Sequence, residues 1–274
     1  KSSFFTVGWS LQLIAKDPSI RILIANATLD NAQKFLGEIS SHIRSNPDYR
    51  QLYGDMYDKD LRWNEGEIDV KGRRVGMREP TVSTAGVGGN LVSRHFDVII
   101  ADDLVNDTNS STRFQAEKVV DWWRRSLSLL EPTGKMLIVG TRWSYYELYS
   151  YLMENMRDEV DFYVRGSHNK DGSLYFPERF NEAKLRELKR LHGSFIYSVF
   201  YENNPVDEES AIIKKSQIRY YKEVPKNLAI FCALDPAVSQ NGPADSSAFV
   251  TIGVASNGDW YVLETLKEKT TVGG

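Results

Sequence analysis

Three short apolar runs, each leading through a turn into an amphipathic stretch, constrain this chain more than any other feature. They are Arg21-Ile22-Leu23-Ile24-Ala25-Asn26, Phe96-Asp97-Val98-Ile99-Ile100-Ala101-Asp102 and Lys135-Met136-Leu137-Ile138-Val139-Gly140-Thr141. Their centres do not alternate apolar with polar residues, as a strand with one wet face would. Strands apolar on both faces belong in a parallel sheet covered by helices on both sides, so the expected fold class is α/β. Helices are expected over 29–45 (Leu29, Phe35, Leu36, Ile39 and Ile43 at helical spacing), 113–130 (Val119, Val120, Trp123, Leu127 and Leu130 inward) and 145–156.

The rest of the chain reads differently. Glu67–Val70 and Arg74–Met77, with Gly72 between them, suggest a hairpin. Asn169-Lys170-Asp171-Gly172 is a turn, and 181–203 reads as two helices broken near Gly193. Beyond Pro205 and Asp207-Glu208-Glu209 come strand-like runs at 228–235, 247–255 and 259–265, the last two joined by Ser256-Asn257-Gly258-Asp259 as a hairpin turn. This is the opening of a second, strand-led domain.

Composition narrows the function classes. At 274 residues, 41% hydrophobic and 26% charged, the chain can bury a sizeable core. A net charge of -3 excludes a globally cationic surface, so any nucleic-acid contact needs local basic patches. Lys71, Arg73, Arg74 and Arg78 form one candidate patch; Lys184, Arg186, Lys189 and Arg190 form another, where Glu182 and Glu187 favour a solvated face. The lone Cys232 permits no intrachain disulfide and suits a reducing interior. His42, His95, His168 and His192 lack zinc-site spacing. Trp122-Trp123 reads as core, and no apolar run nears the ~20 residues of a membrane span. The chain starts at Lys1 rather than Met and ends mid-pattern after Thr270-Thr271-Val272-Gly273-Gly274, so it is expected to be a fragment of a longer protein.

Three strand–loop junctions carry chemistry. Lys1-Ser2 opens a helix (Phe4, Phe5, Leu11, Leu13, Ile14), and a lysine with a hydroxyl at a helix start suits phosphate and Mg²⁺. On its own the pair is an ordinary lysine and serine. Val98–Asp103 is an apolar strand ending in two carboxylates, one placed to hold Mg²⁺ and the next to orient or deprotonate water. The plain alternative is a strand running into an acidic turn. Gly140-Thr141-Arg142-Trp143 ends the neighbouring strand, at the edge where open α/β sheets bind ligands, or is simply a turn with an aromatic anchor. Val87-Gly88-Gly89-Asn90-Leu91 precedes Arg94, a candidate charge-stabilising finger or a surface arginine. The ordered set favours an ATPase. In the second domain, Phe231–Asp235 is an apolar strand ending in an acid, with Asp245 ten residues on. Such an acid begins an RNase H-like, two-metal nuclease, or it caps a loop.

With these motifs in order, the chain resembles the large terminase subunit of tailed bacteriophages or their prophages. The resemblance rests on Lys1-Ser2, Gly88-Gly89 to Arg94, Val98–Asp103, Val139-Gly140-Thr141-Arg142-Trp143, Phe200–Val206, Leu234-Asp235-Pro236-Ala237 and Asp245–Ala248, and covers nearly the whole chain. It implies a P-loop ATPase domain over 1–165, a linker or lid over 166–226, and the first part of an RNase H-like nuclease over 227–274. It implies ATP and Mg²⁺ at Lys1, Ser2, Asp102 and Thr141, with Asp103 and Arg94 as catalytic groups. Asp235 would be the first nuclease metal ligand, for Mg²⁺ or Mn²⁺, and Asp245 an auxiliary one. The implied partners are double-stranded DNA, a portal protein and a small terminase subunit. The implied setting is a ring of subunits in the cytoplasm of an infected bacterium, with no membrane involvement. The departures are the phosphate-loop glycines, which would lie upstream of Lys1, Asp103 where many members have Glu, and further nuclease acids, which would follow residue 274. Two other readings stay open: a nucleic-acid-stimulated P-loop ATPase or helicase without nuclease activity, and a non-catalytic assembly scaffold.

Overall fold

A computed structural model describes residues 1–90, 93–205, 218–235 and 247–268. The chain divides into two compact units, Lys1–Ala211 and Ile212–Gly274. The expected lid stretch, 166–226, is thus shared between them.

The first unit opens with a π-helical stretch, Ser3–Gly8, that continues as α1 (Trp9–Lys16). Then follow β1 (Ile22–Asn26), α2 (Leu29–Ser45), α3 (Pro47–Tyr53), β2 (Glu67–Ile68), β3 (Val82–Gly86), β4 (Phe96–Asp102), α4 (Arg113–Leu127), β5 (Leu130–Val139), α5 (Leu148–Asn155) and α6 (Glu182–Phe200). The five-stranded sheet has the order β2-β3-β1-β4-β5. β3, β1, β4 and β5 run parallel, and β2 pairs antiparallel at the β3 edge.

Strand period explains the core. Ile22, Ile24, Val98 and Ile100 join Ile14, Leu36, Ile39 and Ile43 beneath α1 and α2. The intervening Leu23, Ala25, Ile99 and Ala101 join Val119, Trp123, Leu148 and Leu152 beneath α4 and α5. The central strands therefore have no solvent face, as the unbroken apolar runs require. Trp122 and Trp123 are core residues. Thr28 and Thr112 accept backbone N–H bonds at the starts of α2 and α4.

The amino ends of three strands are tied by one guanidinium. Arg21 Nη2 meets Asp97 Oδ1 at 2.6 Å, and Arg21 Nη1 meets Glu131 Oε1 at 2.9 Å. Burial pushes the Asp97 carboxyl up, but the hydrogen bonds and charge of Arg21 outweigh it and hold the group below its ordinary range.

Several sequence expectations are corrected. The hairpin over 67–77 does not form: Ile68 pairs with Val82 and Trp63, and the N–H groups of Asp69 and Lys71 donate to Arg62 and Met56. The Arg73 guanidinium is largely buried against Asp69, Thr81 and the Glu79 carbonyl, while Arg74 to Gly76 stay exposed. It cannot serve an exposed basic patch. Leu130 lies outside α4 and starts β5 opposite Phe96, while Leu127 is exposed rather than inward. The helix expected from 145 starts at Leu148, because Glu147 caps it. The break near Gly193 is present: φ 78° and ψ 165° interrupt α6 in a region that side chains with a Cβ avoid.

The second unit is an antiparallel meander of β6 (Ala229–Asp235), β7 (Ser247–Val254) and β8 (Trp260–Glu268). The expected turn at 256–259 is closed by Ala255 N–H to Asp259 O at 3.0 Å, with Gly258 at φ 87°.

Candidate active site

The carboxyl end of β4 gathers the acids. Asp102 continues the parity of Val98 and Ile100, so its side chain falls on the face covered by the N-terminal helix. It is fully buried there. Oδ1 accepts the Ser2 hydroxyl at 3.1 Å and Oδ2 accepts the Thr6 hydroxyl. Its carbonyl accepts Asn26 Nδ2 at 2.7 Å, and Asn26 Oδ1 accepts the Thr28 N–H at 3.2 Å. A buried carboxylate needs such donors.

Asp103 leaves the strand with φ 49°, a left-handed conformation that aspartate tolerates better than most residues. Its N–H donates to Val139 O at 2.7 Å and its carbonyl accepts Ala27 N–H at 3.0 Å, so its backbone is held between β5 and β1. Its half-exposed carboxylate stands 3.7 Å from Lys1 Nζ. Burial raises its pKa and the Asp102 charge adds to this, while Lys1 opposes it.

Lys1 closes the constellation. Its ammonium donates to Gly140 O at 2.8 Å and to Thr141 Oγ1 at 3.0 Å, the first residues beyond β5. One cation thus bridges the carboxyl ends of β4 and β5. Gly140 is required on steric grounds, because a Cβ there would overlap the Tyr149 ring. The groups that meet the Asp102 carboxylate are hydroxyl oxygens, a set suited to a hard divalent cation such as Mg²⁺. The exposed ammonium beside them suits a phosphate.

Lys1, Ser2, Asp102, Asp103 and Thr141 are therefore brought together. Arg94 is placed elsewhere: it pairs with Glu67 on the edge strand β2. Asp235 ends β6 opposite Ala248 and is exposed. Among the described residues no group of three or more His, Cys, Asp or Glu could hold a metal, so Asp235 would need ligands from outside them. Asp245 lies outside the described residues. The sequence reading missed Thr6, Asn26 and Glu147. Thr6 was legible, since it lies four residues after Ser2 and so on the same helical face. Asn26 was signalled by a polar residue ending the apolar run of β1. Glu147 had no sequence signal of its own.

What these elements define is an α/β protein with a lysine–carboxylate–hydroxyl cluster at the carboxyl edge of a parallel sheet. No protein-family model matches the chain. The chain is 28% identical over 223 residues to "Terminase, large subunit" of Enterobacteria phage T3, which covers 80% of this chain and 37% of that protein. It thus spans little more than a third of the length of that relative. This distant likeness supports the terminase resemblance. Among the described residues no helix is long and apolar enough to cross a membrane.

Proposed function

We propose that the first unit hydrolyses ATP and that the chain is part of the large subunit of a phage DNA-packaging terminase. One observation carries this reading: Lys1 bridges Asp103, just beyond β4, to Gly140 and Thr141, just beyond β5. In an open α/β sheet that edge is where ligands bind. In this reading the Lys1 ammonium neutralises charge building on the transferred phosphate. Ser2 and Asp102 would hold Mg²⁺, which when bound shields phosphate charge. Asp103 orients the attacking water and takes its proton, helped by a pKa raised by burial. The Thr141 loop, bonded to Lys1, passes the state of the site to the DNA-gripping surface.

The wider reading follows the terminase resemblance. Asp235 would serve a Mg²⁺- or Mn²⁺-dependent nuclease that cuts concatemeric double-stranded DNA, with Asp245 as an auxiliary ligand. The motor would act as a homo-oligomeric ring with a portal protein and a small terminase subunit, in the cytoplasm of the infected cell. In such a ring Arg94 would exchange Glu67 for a neighbour's nucleotide.

The test is Mg²⁺-dependent ATP hydrolysis by the protein at its natural length, beside Asp102→Ala, with and without duplex DNA. The expected result is DNA-stimulated turnover that falls at least about a hundredfold in the variant. Unchanged turnover in Asp102→Ala would move the chemistry away from β4. A folded wild type that hydrolyses nothing, even with its packaging partners, would leave the scaffold reading.

A further inference from the structure

The start of α5 carries a charge that capping alone does not need. Glu147 is fully buried and accepts N–H bonds from Tyr149 at 2.9 Å and Ser150 at 3.2 Å. Serine, threonine, asparagine or aspartate does this at most helix starts. A buried carboxylate is costly. Burial pushes the Glu147 carboxyl up to about 7, against the opposing pull of the bonds from Tyr149 and Ser150 and of the Arg142 charge.

The extra polar contacts lead to the loop beyond β5. Ser150 Oγ lies 3.2 Å from Glu147 Oε1 and 3.0 Å from Ser144 O, and it accepts Arg142 Nη2 at 3.3 Å. One hydroxyl therefore connects the carboxylate to both Arg142 and Ser144. The Arg142 N–H donates to Asn203 Oδ1 at 3.0 Å, and the Trp143 ring meets Phe200 edge-on at 5.1 Å. Arg142 Nε and Ser144 Oγ are buried without partners, so the loop depends on the few bonds it does make. Next to Glu147 on the same helix, Tyr149 lies over Gly140, and its hydroxyl accepts the Val105 N–H at 3.4 Å. Arg142 from the loop and the Tyr149 phenol are the charged or titratable groups acting with Glu147, and Tyr149 in turn feels Asp102 and Asp103.

We propose that Glu147 is a positioning residue for the nucleotide site: through Ser150 and Arg142 it fixes the Gly140–Ser144 loop, whose Gly140 carbonyl and Thr141 hydroxyl hold the Lys1 ammonium. This rests on the ATP-hydrolysis reading. The ionised carboxylate attracts the Arg142 guanidinium and draws the Ser150 hydroxyl, which selects one arrangement of the loop. An amide in the same place has one acceptor oxygen, so it keeps one of the two helix N–H bonds and no longer attracts the guanidinium.

The test compares wild type, Glu147→Gln and Glu147→Ala at natural length and pH 8, where the carboxyl is ionised. The glutamine variant keeps one capping bond and is first shown to be folded by its circular dichroism and cooperative melting. Its kcat is expected to fall at least about tenfold, with KM within about threefold, because the loop sets transition-state geometry more than ground-state binding. A glutamine variant with wild-type kcat would reduce Glu147 to a cap and overturn the proposal. A second arm needs no turnover: hydrogen–deuterium exchange at the Arg142 amide, expected to quicken about tenfold in Glu147→Gln. Unchanged exchange there would overturn the proposal as well. If wild type hydrolyses nothing, the ATP reading falls, and the exchange arm still decides whether Glu147 sets the loop.

Discussion

Glu147 ties stability to pH around neutrality. Its carboxyl moves from an ordinary 4.5 to about 7 on folding. Between those values the folded chain binds more protons than the unfolded one, so stability falls as pH rises. The contribution of the neutral group is fully present below about 4.5 and is lost as pH rises through about 7. A shift of this size corresponds to about 3 kcal/mol. Urea unfolding at pH 5 and pH 8 should show this loss in wild type and a flatter dependence in Glu147→Gln; parallel profiles would contradict it. At this scale the sequence was partly legible. Asp102 and Asp103 stood out because an apolar strand ends in them. The strand period that sends Asp102 toward Ser2 and Thr6 was also available. Glu147 was hidden because its partners Arg142, Ser144 and Ser150 meet only once the loop has folded back on α5.

Among the elements, α6 depends on a single backbone position. Gly193 sits at φ 78° and ψ 165°, and no atom lies within 4 Å of where a Cβ would stand. Space is therefore not the obstacle; backbone conformation is. Gly193→Ala should lower stability by about 1–3 kcal/mol, read as a fall in the urea midpoint at unchanged slope. A midpoint equal to wild type would show that the break relaxes into continuous helix. That break was legible because glycine punctuates a helical pattern. The hairpin at 67–77 was misread for the opposite reason. Its two apolar pairs around Gly72 satisfied a local rule, but Asp69 and Lys71 found backbone partners at Arg62 and Met56. The misread arginine is Arg73, which charge counting placed on a surface and an ion pair with Asp69 takes inside.

At the scale of the whole molecule, the proposal assigns two chemistries to two compact units, and they should separate by mutation. Asp235→Ala should keep ATP turnover while losing DNA cleavage, and Asp102→Ala should lose turnover while still cutting in a Mn²⁺ assay without ATP. Cleavage that survives in Asp235→Ala would remove the nuclease assignment from β6. The α/β architecture of the first unit was legible because two-sided apolar strands admit few other packings. The meander of the second was legible from its period and its Asn-Gly turn. The proposed nuclease role was not, because among the described residues no second acid joins Asp235 in a metal-holding group.

The Arg21 clamp has a mechanical meaning. β1, β4 and β5 are riveted by charge at their amino ends, while the lysine bridge, the acids and the Gly140–Ser144 loop all sit at the other end. The strands themselves stay paired up to Asp102 and Val139, so a change in the grip of Lys1 is expected to move the loop that carries Arg142 and Trp143 before it disturbs the register of the sheet.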